Sequence, residues 1–319
     1  MSPRIAVLLA TYNGSRFIEP QIRSLRDNAT RFTLHWLDDH STDDTRARVR
    51  AVAADAGIPL CEWHQETHCG VPGVFFRLLE CVDAEIYLFC DQDDIWQPGK
   101  IDATVASLAP DIAAPVLCFS EPLTFKEGQP RRLRRLSDVL AEAKAPEGLR
   151  ESRSFMSSCC CGHTVGFTRP LREIFLSHKE VAREYAIMHD QWMYLLAVAA
   201  GRFRMLSDVP TTLYRLHGRN FITDYITPSG GRLAWRWRLQ RVLRRSISRQ
   251  ASGFLLASKT LPEGSKLDRL VRLARMVAVL DRRQSLAAVL RLAFRGAFPP
   301  TLYGALWLAA ACLCTDAAS

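Results

Sequence analysis

Asp91, Asp93 and Asp94 follow directly on a short apolar run, Ile86 to Cys90, and form the densest group of reactive side chains in the chain. Three neighbouring carboxylates repel one another, and burying them without a partner is costly. A hard cation such as Mg²⁺ or Mn²⁺ removes that cost. It prefers oxygen ligands, usually one or two carboxylates with phosphate oxygens and water. The trio therefore suits a metal holding a diphosphate, and it equally suits an acidic turn after a strand. A fourth carboxylate, Asp190, precedes an apolar helical pattern at Met193, Leu195, Leu196 and Val198. Taken alone, it reads as a helix cap or a charge placed on the helix dipole.

These groups need elements to position them. Ile5 to Ala10 is an apolar run of strand length, and the Asn13-Gly14 pair after it is turn chemistry. Phe17, Ile18, Ile22 and Leu25 then recur at helical spacing. Thr33 to Leu37 reads as a second strand ending at Asp38 and Asp39, with Ser41 or Thr42 as cap of a helix carrying Val49 and Val52. Leu60 to Trp63 reads as a third strand, followed by a Gly70-Val71-Pro72-Gly73 loop and an apolar helix around Phe75 and Leu79. Strand and helix alternate, so an α/β fold with a mostly parallel, helix-flanked sheet is expected. Thr11, Tyr12 and Asn13, then Asp38 and Asp39, then Asp91 and Asp93 all sit at strand ends. In a parallel sheet such ends share one edge and converge on one cleft. No GxGxxG follows the first strand and no GxxxxGK[ST] occurs, which argues against a dinucleotide fold and a P-loop.

The chain has 319 residues, 48% of them hydrophobic, enough for a sizeable core. Its net charge of +9 is uneven: residues 230–319 hold 16 Lys+Arg against 4 Asp+Glu, whereas residues 1–229 balance to −3. We divide the chain accordingly into an α/β unit, 1–229, and a basic amphipathic helical region, 230–319. In the latter, Trp235 and Trp237 mix with Arg236, Arg238 and Arg241, and Leu267, Leu270 and Ala274 alternate with Arg269, Arg272 and Arg275. That pattern is expected of helices lying on a membrane surface, and a packed helical cap is the plainer alternative. The uncharged stretch 296–315 is interrupted by Pro299-Pro300, leaving too few residues to span a bilayer. Ten cysteines show no paired CxxC spacing, which predicts a reducing compartment without a disulfide framework. The N-terminal apolar stretch lacks a basic leader and reads as a first strand.

The ordered series Ala10-Thr11-Tyr12-Asn13-Gly14, Asp38-Asp39-x-Ser41-Thr42-Asp43 and Asp91-Gln92-Asp93-Asp94-Ile95-Trp96-x-Pro98-x-Lys100-Ile101 resembles the family 2 glycosyltransferases of the GT-A fold. It is most similar to the rhamnosyltransferase-like members of bacterial polysaccharide synthesis. The resemblance continues through Gly162-His163-Thr164-Val165-Gly166-Phe167, His189-Asp190-Gln191-Trp192 and Tyr214-Arg215-x-His217-Gly218-x-Asn220. His40 departs from it, because the family usually has glycine there; a second departure is the long polar insert near 126–154. By resemblance, Thr11, Tyr12 and Asn13 would line the nucleotide pocket. Asp38 and Asp39 would include the carboxylate reading the base, and Asp91 would approach the ribose. Asp93 would hold Mg²⁺ or Mn²⁺ on the diphosphate, His217 would be a further ligand or diphosphate contact, and Asp190 would be the general base. Gly162, His163 and Trp192 would line the sugar or acceptor pocket.

The implied activity is inverting transfer of a sugar from a nucleotide-diphospho-sugar, dTDP-L-rhamnose first, to a glycan or lipid-linked acceptor. The implied place is the cytoplasmic face of a bacterial inner membrane. Another UDP- or GDP-sugar is the alternative within this class. A nucleic-acid-binding protein acting through its basic Trp-Arg region is the alternative outside it. That alternative leaves the converging carboxylates unexplained, and no nucleic acid partner is expected.

Overall fold

The computed structural model describes residues 3–127, 134–135, 161–217 and 248–278. Strand β1 (Ile5–Thr11), helix α1 (Ile18–Ser24), β2 (Thr33–Asp38), α2 (Thr45–Asp55), β3 (Leu60–Trp63), α3 (Gly70–Cys81) and β4 (Ile86–Cys90) alternate in order. Then come β5 (Ile95–Trp96), α4 (Lys100–Leu108), β6 (Val116–Ser120), β7 (Leu123–Lys126) and β8 (Arg134–Arg135). They are followed by β9 (Gly166–Thr168), α5 (Arg169–Ser177), α6 (Lys179–Tyr185), α7 (His189–Ala200), β10 (Arg202–Leu206) and β11 (Thr212–Leu216). A helix over 248–257, α8, and α9 (Ser265–Val277) complete the described chain.

Seven strands form the main sheet in the order β10-β6-β9-β4-β1-β2-β3. The pairs β1–β2, β1–β4, β2–β3 and β6–β10 are parallel, and only β9 runs antiparallel to its neighbours. Alternation along β1 explains the burial of both faces. Ala6, Leu8 and Ala10 point into a core shared with α3, α5 and α7, while Ile5, Val7 and Leu9 point into one shared with α1, α2 and α4. In register, Thr11 faces Asp38 and Leu9 faces Cys90, so the ends of β1, β2 and β4 lie on one edge.

A second, four-stranded sheet, β5-β11-β7-β8, was not foreseen from sequence. Its strands are short and come from distant segments, so no local periodicity announces it. It matters because β11 pairs with β5, the strand just after the acidic loop, and ends immediately before His217.

Several local expectations are corrected. Ser41 and Thr42 do not cap α2, whose N-cap is Asp44. Ser41 instead donates to Asp38 and accepts from the Asn13 backbone N–H, and Asn13 Oδ1 accepts from the Thr42 N–H, tying the two strand-end loops together. Phe17 stands at the N-cap ahead of α1 and stacks on His217 with ring centroids 4.7 Å apart. Leu267, Leu270 and Ala274 of α9 are buried in the core that also contains α7, while Lys266, Arg272 and Arg275 face outward. These three residues of α9 therefore pack on the α/β domain, as a helical cap would. The described part after residue 229 shares a core with the preceding sheet. Among the described residues, no helix is long and apolar enough to cross a membrane. The stretches 232–245, 279–319 and most of the insert 126–154, including Cys159 and Cys160 just beyond it, lie outside the described residues. The six described cysteines are all free.

Lys100 is buried beneath the acidic loop, its Nζ 3.3 Å from the Trp96 ring centroid and without a hydrogen-bond partner. Burial pushes its pKa down to about 7 from an ordinary 10.5. Between about pH 7 and about pH 10 the native chain therefore binds fewer protons than the unfolded one, and stability rises with pH. Lys100→Met is expected to stabilise the protein at neutral pH by an amount on the order of a few kcal/mol and to flatten that rise. Urea unfolding of both proteins at the two ends of the window checks this; a flat wild-type profile would contradict it.

Candidate active site

One cavity of about 410 Å³ opens along the carboxyl edge of the main sheet. It brings together Thr11 at the end of β1 and Tyr12 after it, Asp39 after β2, Asp91 and Asp93 after β4, and Gly162 and Asp190. The convergence expected from strand order is thus observed. Asn13, Asp38, His163, Trp192 and His217 are not on its wall.

The β1 and β2 ends form a fixed frame. The Thr11 hydroxyl donates to Asp38 Oδ2 at 2.8 Å and accepts from Trp36 Nε1 at 2.9 Å. Burial raises the Asp38 pKa, but hydrogen bonds from Ser41, Arg46 and Thr11 outweigh it and hold the carboxyl below its usual range. Asp38 thus braces the loop and does not reach the cavity. His40 adopts φ of +66°, in the left-handed region where glycine is cheapest. This explains why a glycine is usual there and marks the position as strained.

The acidic loop is held from three sides. Gln92, which sequence reasoning passed over although it sits inside the motif, makes a reciprocal pair with the Tyr12 backbone. It accepts from the Tyr12 N–H at 2.9 Å and donates to the Tyr12 carbonyl at 3.0 Å. Arg215 of β11 donates its backbone N–H to Asp94 Oδ1 and its Nε–H to the Asp93 carbonyl. His217 places Nε2 2.8 Å from Asp93 Oδ2. Burial, then the charges of Asp93 and Asp190, push the Asp91 pKa up to about 8, and burial followed by Asp93 and Asp91 raises that of Asp94 as well. Clustered carboxylates this reluctant to ionise are what a bound cation relieves.

Two donor sets fit a hard or borderline cation. In the first, Asp93 lines the cavity and His217 reaches its carboxylate from off the wall. A second set, Asp91, Asp94 and His163, has its ligand atoms within 4.8 Å of one another. Asp94 and His163 are buried behind the cavity wall, so Asp93 is the better placed of the two sets to meet a diphosphate. His163, expected in the sugar pocket, instead stacks on Tyr214 and lies 3.5 Å from Asp94. Burial, with Lys100 and His189 adding to it, takes its pKa down to about 3. Trp192, expected there too, is fully buried on the core side of α7 because an indole ring gains more from burial than from a wet wall.

Asp190 sits in the first turn of α7, whose N-cap is Met188. It is therefore a first-turn acid and not the cap; its Oδ1 accepts the Gln191 N–H at 2.7 Å, and the residue lines the cavity. Burial raises its pKa to about 6, against backbone N–H groups of Gln191 and Gly162 that lower it. Gly162 has no room for a side chain, because a Cβ there would meet His189 Nε2 at 2.8 Å.

The sheet, the acidic loop and the facing carboxylate define a nucleotide-sugar-type transferase of the GT-A fold. Residues 6–175 match the family described as "Glycosyl transferase family 2", and the chain belongs to that family. It is 25% identical over 233 residues to the Shigella flexneri "dTDP-rhamnosyl transferase RfbG", covering 66% of this chain and 72% of that protein. It is 32% identical over 96 residues to "Protein RfbJ" of the same organism, covering 30% of this chain and 69% of that one. Among solved structures it resembles the mannosyltransferase PcManGT from Pyrobaculum calidifontis in complex with GDP-Man and Mn²⁺. The TM-score is 0.55 at 20% identity, over 100% of this chain and 80% of that one. S. aureus TarS in complex with UDP-GlcNAc gives 0.51 at 16% identity, over 92% and 81% respectively.

Proposed function

We propose that this chain is an inverting, metal-dependent sugar transferase whose first-choice donor is dTDP-L-rhamnose. Its acceptor is a hydroxyl of a glycan or lipid-linked glycan in bacterial surface polysaccharide synthesis. The observation that carries this reading is that Asp190 and the acidic loop share one cavity. The rhamnose assignment draws on the likeness to the dTDP-rhamnosyl transferase of S. flexneri.

Asp190, when ionised, takes the proton of the acceptor hydroxyl, and that oxygen attacks the anomeric carbon as the bond to the diphosphate oxygen breaks. One base acting opposite one leaving group gives direct displacement, hence inversion. Asp93 with His217 would hold the cation, which supplies charge neutralisation for the departing diphosphate. Tyr12, half-exposed on the cavity wall, offers its ring to the nucleotide base.

The same reading places the enzyme at the cytoplasmic face of the inner membrane. Because α9 turns its apolar side inward, contact through that helix is electrostatic, carried by outward residues such as Lys266, Arg272 and Arg275. Each basic residue near anionic lipid contributes about 1 kcal/mol.

The test is a donor panel. Purified protein with Mn²⁺ is expected to release nucleotide from dTDP-L-rhamnose faster than from UDP- or GDP-sugars when offered rhamnan or lipid-linked acceptors. It is also expected to sediment with anionic but not neutral vesicles, less so at high salt. Preference for a UDP- or GDP-sugar would replace the donor assignment, and salt-sensitive binding to oligonucleotides but not vesicles would replace the membrane one.

A further inference from the structure

Asp39 was expected to include the group that reads the nucleobase, yet its carboxylate is fully engaged by the loop ahead of α3. Oδ1 accepts from the Gln65 amide and from the Cys69 backbone N–H at 2.9 Å. Oδ2 accepts from the Gly70 N–H at 2.7 Å and lies 2.9 Å from His68 Nδ1. A carboxylate offers about four lone-pair sites, and four donors occupy them here. The side chain is only 2% exposed, so although the residue lines the cavity, its carboxylate is committed to that loop.

His68 is differently placed. Its Nδ1 meets two oxygens that can only accept, the Asp39 carboxylate and, at 3.0 Å, the Asp39 backbone carbonyl. That nitrogen must carry a proton. In the neutral ring Nε2 is then an acceptor, on the side of the imidazole turned away from Asp39. The ring is half-exposed and lines the cavity beside Tyr12, with ring centroids 4.7 Å apart.

We propose that His68, with its tautomer set by Asp39, is the specificity-determining residue for the base: its Nε2 accepts the ring N–H of a nucleoside diphosphate that has one. Thymine and uracil offer N3–H and guanine offers N1–H. Cytosine and adenine present a lone pair at the corresponding ring nitrogen, and two lone pairs facing each other repel. A site built to pair with a donor rejects the analogue that lacks it. Asp39 acts one step back, as the positioning residue that orients the imidazole. This inference rests on the nucleotide-sugar reading above and deepens it.

Isothermal titration of the full chain with Mn²⁺ and dTDP, CDP or N3-methylated dTDP tests it. Wild type is expected to bind dTDP about tenfold or more tightly than either of the others. His68→Phe, which keeps a ring beside Tyr12 but has no acceptor, is expected to lose both differences. Equal wild-type affinity for dTDP and its methylated form overturns the proposal, and that comparison needs no variant if His68→Phe fails to fold. An undiminished preference for dTDP in His68→Phe also overturns it and returns the reading role to Asp39. If wild type binds no nucleotide at all, the donor reading itself falls, and this inference with it.

Discussion

Asp190→Asn is expected to lower kcat by about a hundredfold to ten-thousandfold while leaving nucleotide affinity within a few-fold of wild type. The amide keeps the shape and can still accept the Gln191 N–H, so the helix start survives, but it cannot take a proton. This separates the base from the first-turn acid, which a change to alanine would not. The wild-type pH profile is the second arm. With its pKa raised to about 6 by burial, Asp190 is ionised only above that value, so kcat/KM should fall about tenfold per unit of pH below it. Stability runs the other way. From an ordinary 3.8 up to about 6 the native state holds a proton the unfolded state has released, so stability declines as pH rises through that window. Asp190→Asn should therefore be more stable than wild type at neutral pH, by an amount on the order of 1–2 kcal/mol. An inactive but stabilised variant is the signature of a group held for chemistry. Near-normal turnover in the variant would leave Asp190 as helix chemistry alone.

Asp93→Ala is expected to abolish metal-dependent nucleotide binding. A ligand at a hundredfold excess over its dissociation constant stabilises the native state by about 2.7 kcal/mol, and that shift should vanish in the variant. Fold disruption is not the cause, because Arg215 holds the Asp93 backbone carbonyl and the Asp94 carboxylate, both of which remain. Removing one of three clustered charges also relieves Asp91 and Asp94, whose raised pKa values owe part of their shift to Asp93. Loss of the His217 contact opposes that relief, so the ligand-free variant should stay within about 1 kcal/mol of wild type. Thermal-shift curves with and without Mn²⁺ and dTDP read both effects. A full ligand-induced shift in Asp93→Ala would move the cation to the Asp91, Asp94 and His163 set.

Legibility from sequence followed the range of the physics. Strands β1, β2, β3 and β4 were readable because strand length, apolar runs and turn residues are local, and both faces of each middle strand are buried. Asp190 was readable as a helix-start acid, and only its resemblance context made it a base. Gln92 carried a signal, being a polar residue inside the acidic motif, but its partner Tyr12 is eighty positions away. His68 carried none, since nothing near Gln65 to Cys69 is periodic or paired in sequence. His163 and Trp192 were drawn to the pocket by motif alone; burial sent both elsewhere.

The order of strands, the side-chain alternation along them and the acid-rich strand ends are properties of the sequence by itself, because the backbone's period and the cost of burying charge act over a few residues. Only the tertiary structure decided which acids stay open to a ligand. Asp38 and Asp39 are adjacent and chemically identical, yet one is closed by Ser41, Arg46 and Thr11 and the other by a loop that reaches it from the start of α3. Tertiary packing also brought His217 to Asp93 and turned the apolar face of α9 inward. Those outcomes depend on which distant donors and apolar surfaces meet, and desolvation by such long-range contacts leaves no trace in the spacing of residues along the chain.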